Sequence, residues 1–283
     1  MSAILVLGSG GMLGRAWLEL LAARGIDTRE ADLPTFDLGS EASIAEHLAG
    51  DLRAVVNCAA YTDVDGAETD EPRATALNGD AVARLVARCD ALGVPFVHYS
   101  TDYVFEGDAS EPYTVDRPCA PLNAYGRSKL VGEQHLLASE GPHLLIRTSW
   151  LYAPWGKNFV CTIARLAAEK DELRVVDDQR GRPTSAEHLA WLSLELLERG
   201  ESGVFHGTDG GECTWFELAS AIAAEVAPTC TITPCTSDEY PRPAVRPSYS
   251  VLDLSRTENI LGPMPEWRVN LRAVLEKISV PPA

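Results

Sequence analysis

The chain has no Cys-x-x-Cys, no His-Glu-x-x-His and no other zinc-ligand spacing among its histidines and cysteines. That removes the common zinc modules and the zinc hydrolases. It has no Gly-x-Ser-x-Gly nucleophile elbow, and no Gly-Lys-Ser/Thr follows its glycines, so serine hydrolases and P-loop nucleoside triphosphatases drop out as well. Positive charge is scarce. Lys and Arg number 24 against 41 Asp and Glu, a net charge of −17, and Lys129, Lys157, Lys170 and Lys277 are the only lysines. Such a surface repels phosphate backbones and anionic lipid, so neither nucleic acid nor membrane is expected as a partner. No apolar run approaches the roughly 18–20 residues that span a bilayer. The N-terminus enters a strand-like pattern with no basic segment ahead of an apolar one, so no signal peptide is expected. Seven scattered cysteines, an odd number, predict reduced thiols and a cytoplasmic location rather than a disulfide framework.

What is present is a foldable chain of 283 residues with 46% hydrophobic and 23% charged side chains, long enough for one large domain and a smaller part. Short apolar runs at Ile4–Leu7, 54–57, 94–100 and 144–148, with a weaker one at 28–32, read as strands. Helical spacing predicts helices over 12–24, 72–92 (opened by Pro72) and 123–139. Fully apolar strands alternating with helices predict an α/β fold, a doubly wound parallel sheet of Rossmann type. Beyond Trp150 the pattern loosens, with helices expected near 157–169, 184–199 and 214–227, short strands near 173–176 and 203–206, and loop over 228–250. The expected division is a dinucleotide-binding part over 1–150 and a mainly substrate-binding part over 151–283, with segments of the latter returning to the sheet.

Gly8-Ser9-Gly10-Gly11-Met12-Leu13-Gly14 joins the first strand to the first helix. In that setting Gly8 permits the tight turn, Gly11 lets backbone approach a pyrophosphate, and Gly14 lets the helix lie close on the sheet. The helix N-terminus offers free N–H groups and partial positive charge to phosphates. Asp32, about 18 residues further on, can hold the adenine ribose diol, which favours NADH. Arg24 and Arg29 lie near enough in sequence to serve a 2′-phosphate instead, so the choice between NADPH and NADH stays open.

Tyr125 and Lys129 stand four apart in a predicted helix and so share one face. With so few lysines, composition alone gives about 0.1 such pairs. A ketone that accepts hydride becomes an alkoxide and needs a proton. A phenol can deliver it, and a neighbouring ammonium is expected to lower the phenol's pKa from about 10 toward neutrality. Ser100 and Thr101 end the fourth strand, on the side where open α/β sheets bind ligands, and a hydroxyl there can hydrogen-bond the carbonyl being reduced. Asp63, Asp65 and Glu68 read as a polar loop and helix start, and no metal is expected.

These motifs, with Asn57-Cys58-Ala59-Ala60-Tyr61-Thr62-Asp63-Val64-Asp65, Ser100–Phe105, Pro121–Lys129, Arg147–Tyr152, Asn158-Phe159, Asp178–Thr184 and Arg246–Ser250, run nearly end to end. Together they resemble the extended short-chain dehydrogenases/reductases, in the branch that reduces dTDP-linked keto sugars. The resemblance implies reduction, with NADPH or NADH, of the 4-keto group of dTDP-4-dehydro-6-deoxy-L-mannose to dTDP-L-rhamnose. Another dTDP-4-keto-6-deoxyhexose, or a non-catalytic regulatory subunit of the same fold, is the alternative. By residue, the resemblance implies Tyr125 as proton donor, Lys129 as its partner, Thr101 as the hydroxyl at the carbonyl and Tyr103 as a tuner of acidity. It implies Thr101, Asp102 and Trp150 at the sugar nucleotide, and Gly11, Met12, Leu13, Asp32, Asp37, Leu38, Ala60, Tyr61 and Thr62 at the cofactor. Some members bind Mg2+ at a dimer interface through a glutamate just past the glycine turn. Arg15-Ala16 stands there in this chain, so neither metal nor dimer is carried over, and monomer or homodimer stays open. The substrate's diphosphate calls for local cations, and Arg180, Arg182, Arg242 and Arg246 are expected to supply some of them, salt bridges to nearby carboxylates being the competing role.

Overall fold

The computed structural model describes residues 2–278. The first half runs β1 (Ala3–Leu7), α1 (Met12–Ala23), β2 (Thr28–Ala31), α2 (Glu41–His47), β3 (Leu52–Asn57), α3 (Val64–Ala67), α4 (Glu71–Thr75), α5 (Ala81–Leu92), β4 (Phe96–Thr101), α6 (Ala124–Leu137) and β5 (His143–Thr148). The second half runs β6 (Leu151–Tyr152), α7 (Phe159–Glu169), β7 (Glu172–Val176), β8 (Arg180–Gly181), β9 (Thr184–Ser185), α8 (Ala186–Glu198), β10 (Gly203–His206), β11 (Cys213–Thr214), α9 (Trp215–Val226), β12 (Thr231–Cys235), α10 (Ser255–Leu261) and α11 (Trp267–Leu275). No described helix is long and apolar enough to cross a membrane.

Six parallel strands form one sheet in the order β10-β5-β4-β3-β1-β2. This is the doubly wound α/β architecture that the strand–helix alternation predicts. Buried residues cover both faces. On one, α1 and α8 pack on Ile4, Val6, Val56, Val97 and Ile146; on the other, α2 and α5 pack on Leu5, Leu7, Val55 and Leu145. Side chains of this kind contribute about 1.5–3 kcal/mol each when fully buried, which fixes the strands as continuous apolar runs. Trp17 of α1 is buried and its Nε1 donates to Tyr99 Oη at 2.7 Å, tying the first helix to the sheet centre. β2 is added on one side of β1 and β3 on the other, so the strand order switches between β1 and β3, and the switch point opens at the carboxyl ends of those strands.

Past residue 150 the chain both returns to the sheet and builds a second core. Strand β10 pairs with β5 at the sheet edge, and α8 covers the sheet beside α1. A separate core of α7, α9 and α11 is built on Tyr152, Val160, Ile163, Leu218, Ile222, Trp267 and Leu271. The helix expected over 72–92 is α4 and α5 joined by one turn of π-helix, Ala76–Asp80. There the Asn78 side chain bonds both backbone groups of Tyr61 and the Ser128 hydroxyl. Such turns commonly sit at functional sites, and this one brings Ala76 and Leu77 to the cavity described below. The stretch 228–250, expected as loop, contains β12, which pairs with β7.

Candidate functional site

A cavity of about 1100 Å³ opens along the carboxyl ends of β1, β3, β4 and β5. Gly8, Gly10, Gly11, Met12 and Leu13 line its floor. Gly8 has φ +73°, and a Cβ on it would lie 2.7 Å from the Ala59 amide nitrogen, so only glycine fits. Gly11 is the N-cap of α1, whose first turn carries no acidic side chain to compete with a phosphate. Gly14 does not line the cavity; a Cβ there would collide with the Gly8 carbonyl oxygen, so its part is to let α1 close onto the turn. Asp32 is fixed at one end, its Oδ2 accepting from Gly10 N at 2.6 Å and its Oδ1 from Leu33 N at 2.7 Å. Asp37, Leu38, Ala60 and Thr62 line the walls. Tyr61 is not among the lining residues and packs with Ala67, Ala74 and Ala124. Arg24 and Arg29 do not line the cavity: Arg24 pairs with Glu195, and Arg29 donates to the carbonyls of Ala49 and His47.

At the other end the cavity meets Ser100, Thr101, Asp102, Tyr103, Tyr125, Lys129, Thr148 and Trp150. Asn123 starts α6 by accepting from Gly126 N, and that cap fixes where Tyr125 and Lys129 emerge. Gly126 is required there, since any Cβ would strike the Tyr103 carbonyl oxygen. Three buried polar atoms among the lining residues have no protein partner: Ser100 Oγ, Thr148 Oγ1 and Asp102 Oδ2. Buried polar atoms are normally satisfied, so this end fits a polar ligand, as the glycine cradle and the Asp32 carboxylate fit a dinucleotide. Thr148 and Ser100 both line the cavity, and both stand at the ends of strands that the sequence pattern marks.

Burial raises the Tyr125 pKa above the ordinary phenol value, with the Asp102 charge adding to it. The expected lowering by Lys129 is therefore overturned in this geometry. Burial pushes Lys129 itself down to about 8, against the pull of Glu133. Tyr103 is pushed up to about 12 by burial and Asp102, with Arg246 opposing; its ring stands edge-on to Tyr125 at 6.1 Å. Thr101 Oγ1 donates to Asp102 Oδ1 at 2.9 Å and accepts from Tyr103 N.

Burial raises Asp102 from 3.8 to about 6, against the Thr101 hydrogen bond and nearby polar groups. The folded chain thus holds this proton more tightly than the unfolded chain does. The penalty is full above about pH 6 and vanishes below the unfolded value. Asp102→Asn should accordingly stabilise the fold by up to about 3 kcal/mol at pH 8, the gain shrinking as pH falls toward 4. Urea unfolding at several pH values checks this, and a pH-independent difference would remove the carboxyl from the account.

Trp150 is held in a left-handed backbone conformation, φ +46°, unusual for a large side chain. Its ring stacks on Trp215 at 3.6 Å and 9°, with Gly181 beneath its edge. Trp215, the first residue of α9, lines this cavity and a second one, and nothing in its local sequence marks it. The second cavity, about 440 Å³, joins at Tyr103 and Trp215 and is lined by Phe159, Tyr240, Arg174, Arg242 and Arg246 among others. Arg246 pairs with Asp65 at 3.0 Å and Arg242 with the same carboxylate at 3.7 Å. Arg182 lines neither cavity; its Nη1 donates to the Gly211 carbonyl at 2.9 Å. Arg180 pairs with Glu212 and Glu217 and is likewise away from both.

A family model described as "RmlD substrate binding domain" matches residues 1–280. A dTDP-4-dehydrorhamnose reductase of Mycolicibacterium smegmatis is 39% identical over 95% of this chain and 84% of its own length. A Streptomyces antibioticus protein named as a probable dTDP-4,6-dihydroxy-2-methyloxan-3-one 4-ketoreductase is 40% identical over 97% and 95%. The solved Bacillus anthracis dTDP-4-dehydrorhamnose reductase in complex with NADP superposes with a TM-score of 0.92 at 31% identity, covering 98% of this chain and 100% of that one. With the glycine cradle, the Tyr125–Lys129 pair and the strand-end hydroxyls meeting in one cavity, these matches place the chain in the dTDP-4-dehydrorhamnose reductase family of the extended short-chain dehydrogenases/reductases.

Proposed function

We propose that the protein reduces the 4-keto group of dTDP-4-dehydro-6-deoxy-L-mannose to give dTDP-L-rhamnose, using NADPH or NADH. The observation that carries this is the convergence of Gly8, Gly11 and Asp32 with Tyr125, Lys129 and Thr101 in one cavity. The bound dinucleotide supplies the hydride for C4. Gly8, Gly10, Gly11 and the α1 N-terminus would hold its pyrophosphate, and Asp32 its adenine ribose. Tyr125 Oη donates its proton to O4, so that the carbonyl becomes a secondary alcohol and the tyrosine a phenolate. Lys129 sits one helical turn on and stabilises that phenolate while it remains an ammonium. The Thr101 hydroxyl, here turned to Asp102, reaches O4 by rotation about its Cβ–Oγ1 bond, which leaves Asp102 to accept from a sugar hydroxyl. The stacked Trp150–Trp215 pair lines the cavity and gives the sugar an apolar wall. The second cavity, aromatic and arginine-lined, suits a nucleobase followed by a diphosphate, with Arg242 and Arg246 as its cations.

The Streptomyces antibioticus relative, as similar as the others, favours a second reading in which another dTDP-4-keto-6-deoxyhexose is the substrate. A regulatory subunit has no need of a buried proton donor, so the third alternative has nothing in its favour. Seven free thiols and a net charge of −17 fit a cytoplasmic enzyme with small anionic substrates and no nucleic-acid partner. The test is loss of reduced-nicotinamide absorbance with dTDP-4-dehydrorhamnose made in situ, followed by product analysis. dTDP-L-rhamnose is expected. A C4 epimer would favour the second reading, and no oxidation with any dTDP-4-keto sugar would defeat both.

A further inference from the structure

Three cations line the large cavity among the described residues: Arg73, Lys129 and Lys157. Lys129 is buried at the Tyr125 end. Lys157 has no role in the chemistry above, yet the chain, poor in lysine, places one where the glycine turn is. It lies on the turn between β6 and α7, and that turn is fastened to the first residue of α1. Trp155 Nε1 donates to the Met12 carbonyl at 3.1 Å. Gly156, at φ +75°, passes so close that a Cβ on it would sit 2.9 Å from Met12 Cγ. Asn158 closes the turn from behind, its Nδ2 donating to the carbonyls of Ala153 and Trp155 and its Oδ1 capping α7 through Cys161 N. The Arg15 guanidinium covers Trp155 at 4.2 Å and is itself paired with Glu19. The turn is thus an ordered strap whose exposed lysine is in no ion pair among the described residues.

We propose that Lys157 is a binding residue for the pyrophosphate of the dinucleotide, reaching over the glycine turn from the substrate-binding part. This rests on the functional reading above and deepens it. A pyrophosphate carries about two negative charges, whereas a helix N-terminus offers the equivalent of about half a positive one. Of the three cations, Arg73 belongs to α4 and Lys129 to the Tyr125 end on α6, which leaves Lys157 as the one on the turn fastened to the start of α1. Lys157 is the cation that lines the cavity together with Gly156 and Met12, both part of the strap contact. A lysine acts there as a compact point charge that needs no fixed fork geometry.

The test uses the full chain and three ligands followed by calorimetry: NADPH, ADP-ribose and AMP. Lys157→Ala should weaken NADPH and ADP-ribose about tenfold, the worth of one charge-assisted contact. AMP, which lacks the second phosphate, should lose less, and Lys157→Arg should restore most of the binding. Melting temperature, KM for the sugar nucleotide and kcat at saturating NADPH should stay near wild type. Unchanged ADP-ribose binding in Lys157→Ala would overturn the proposal, as would a loss confined to the sugar-nucleotide KM, which would assign Lys157 to the substrate diphosphate. Failure of the wild-type protein to bind any of these ligands would overturn the functional reading as well, so the two failures are told apart by the wild-type titration.

Discussion

Tyr125→Phe should lower kcat by at least two orders of magnitude while leaving the dissociation constants of NADPH and of the sugar nucleotide within about twofold. Phenylalanine keeps the ring, its edge-on contact with Tyr103 and its place on α6. Only the hydroxyl, and with it the transferable proton, is removed. Burial and the Asp102 charge keep that proton on Tyr125 throughout the neutral range, so the resting side chain is in the form a general acid requires. What must be overcome is the phenolate left behind, and Lys129, one turn along the same helix face, is the buried cation placed to stabilise it, the nearer Arg127 being paired with Glu71. Because burial brings Lys129 down to about 8, its charge is lost as pH rises through that value, and wild-type kcat should fall on the same limb. In Tyr125→Phe the residual rate should be flat there, since no phenolate forms. Stopped-flow or steady-state rates between pH 6 and 10 check both statements. Wild-type turnover by the phenylalanine variant would remove Tyr125 from the chemistry.

The elements that carry this mechanism are those whose signal is local. A glycine turn between a strand and a helix, and a tyrosine four residues before a lysine, are spacings that one helix or one turn converts directly into geometry. The apolar strands were legible for the same reason, since burial on both faces demands continuous Val, Leu and Ile. What sequence could not supply was anything decided by two distant segments meeting. Trp215 matters because it stacks on Trp150, 65 positions away. Asn78 matters because a π-turn aims it at Tyr61. Arg182 and Arg246 look alike as arginines in the second half, yet one points to the Gly211 carbonyl and the other to Asp65. Asp65 reads as part of a helix start; the cap is in fact Asp63, which frees Asp65 for the two arginines. The error about Lys129 has a different origin. Spacing gives proximity, but the sign of a pKa shift is set by how much water is lost, and burial outweighs the neighbour at Tyr125.

Glu133→Gln should destabilise the fold by about 3–5 kcal/mol. Arg147 ends in a pocket with 4% of its side chain exposed, Glu133 with 1%. The guanidinium donates to Glu133 Oε2 at 2.7 Å and to Oε1 at 3.0 Å, to the Val115 carbonyl at 3.1 Å, and lies over Phe105. Burial works against the Arg147 charge, and the hydrogen bonds and charge of Glu133 reverse that. Glutamine keeps the shape and withdraws the charge, which leaves a buried cation with no counter-ion. The consequence reaches the site, because Glu133 is one turn beyond Lys129 on α6 and is the charge that opposes Lys129's loss of its proton. The alkaline limb of kcat should therefore move to lower pH in Glu133→Gln, a shift that loss of stability alone does not produce. Urea unfolding and the pH–rate profile read the two effects separately. Replacing both partners with apolar residues, Glu133→Leu with Arg147→Met, should recover much of the stability, since the stranded charge is gone. The limb should remain displaced, because Lys129 still lacks its carboxylate. Recovery of the limb together with stability would show that Glu133 acts on the site only by holding the helix in place.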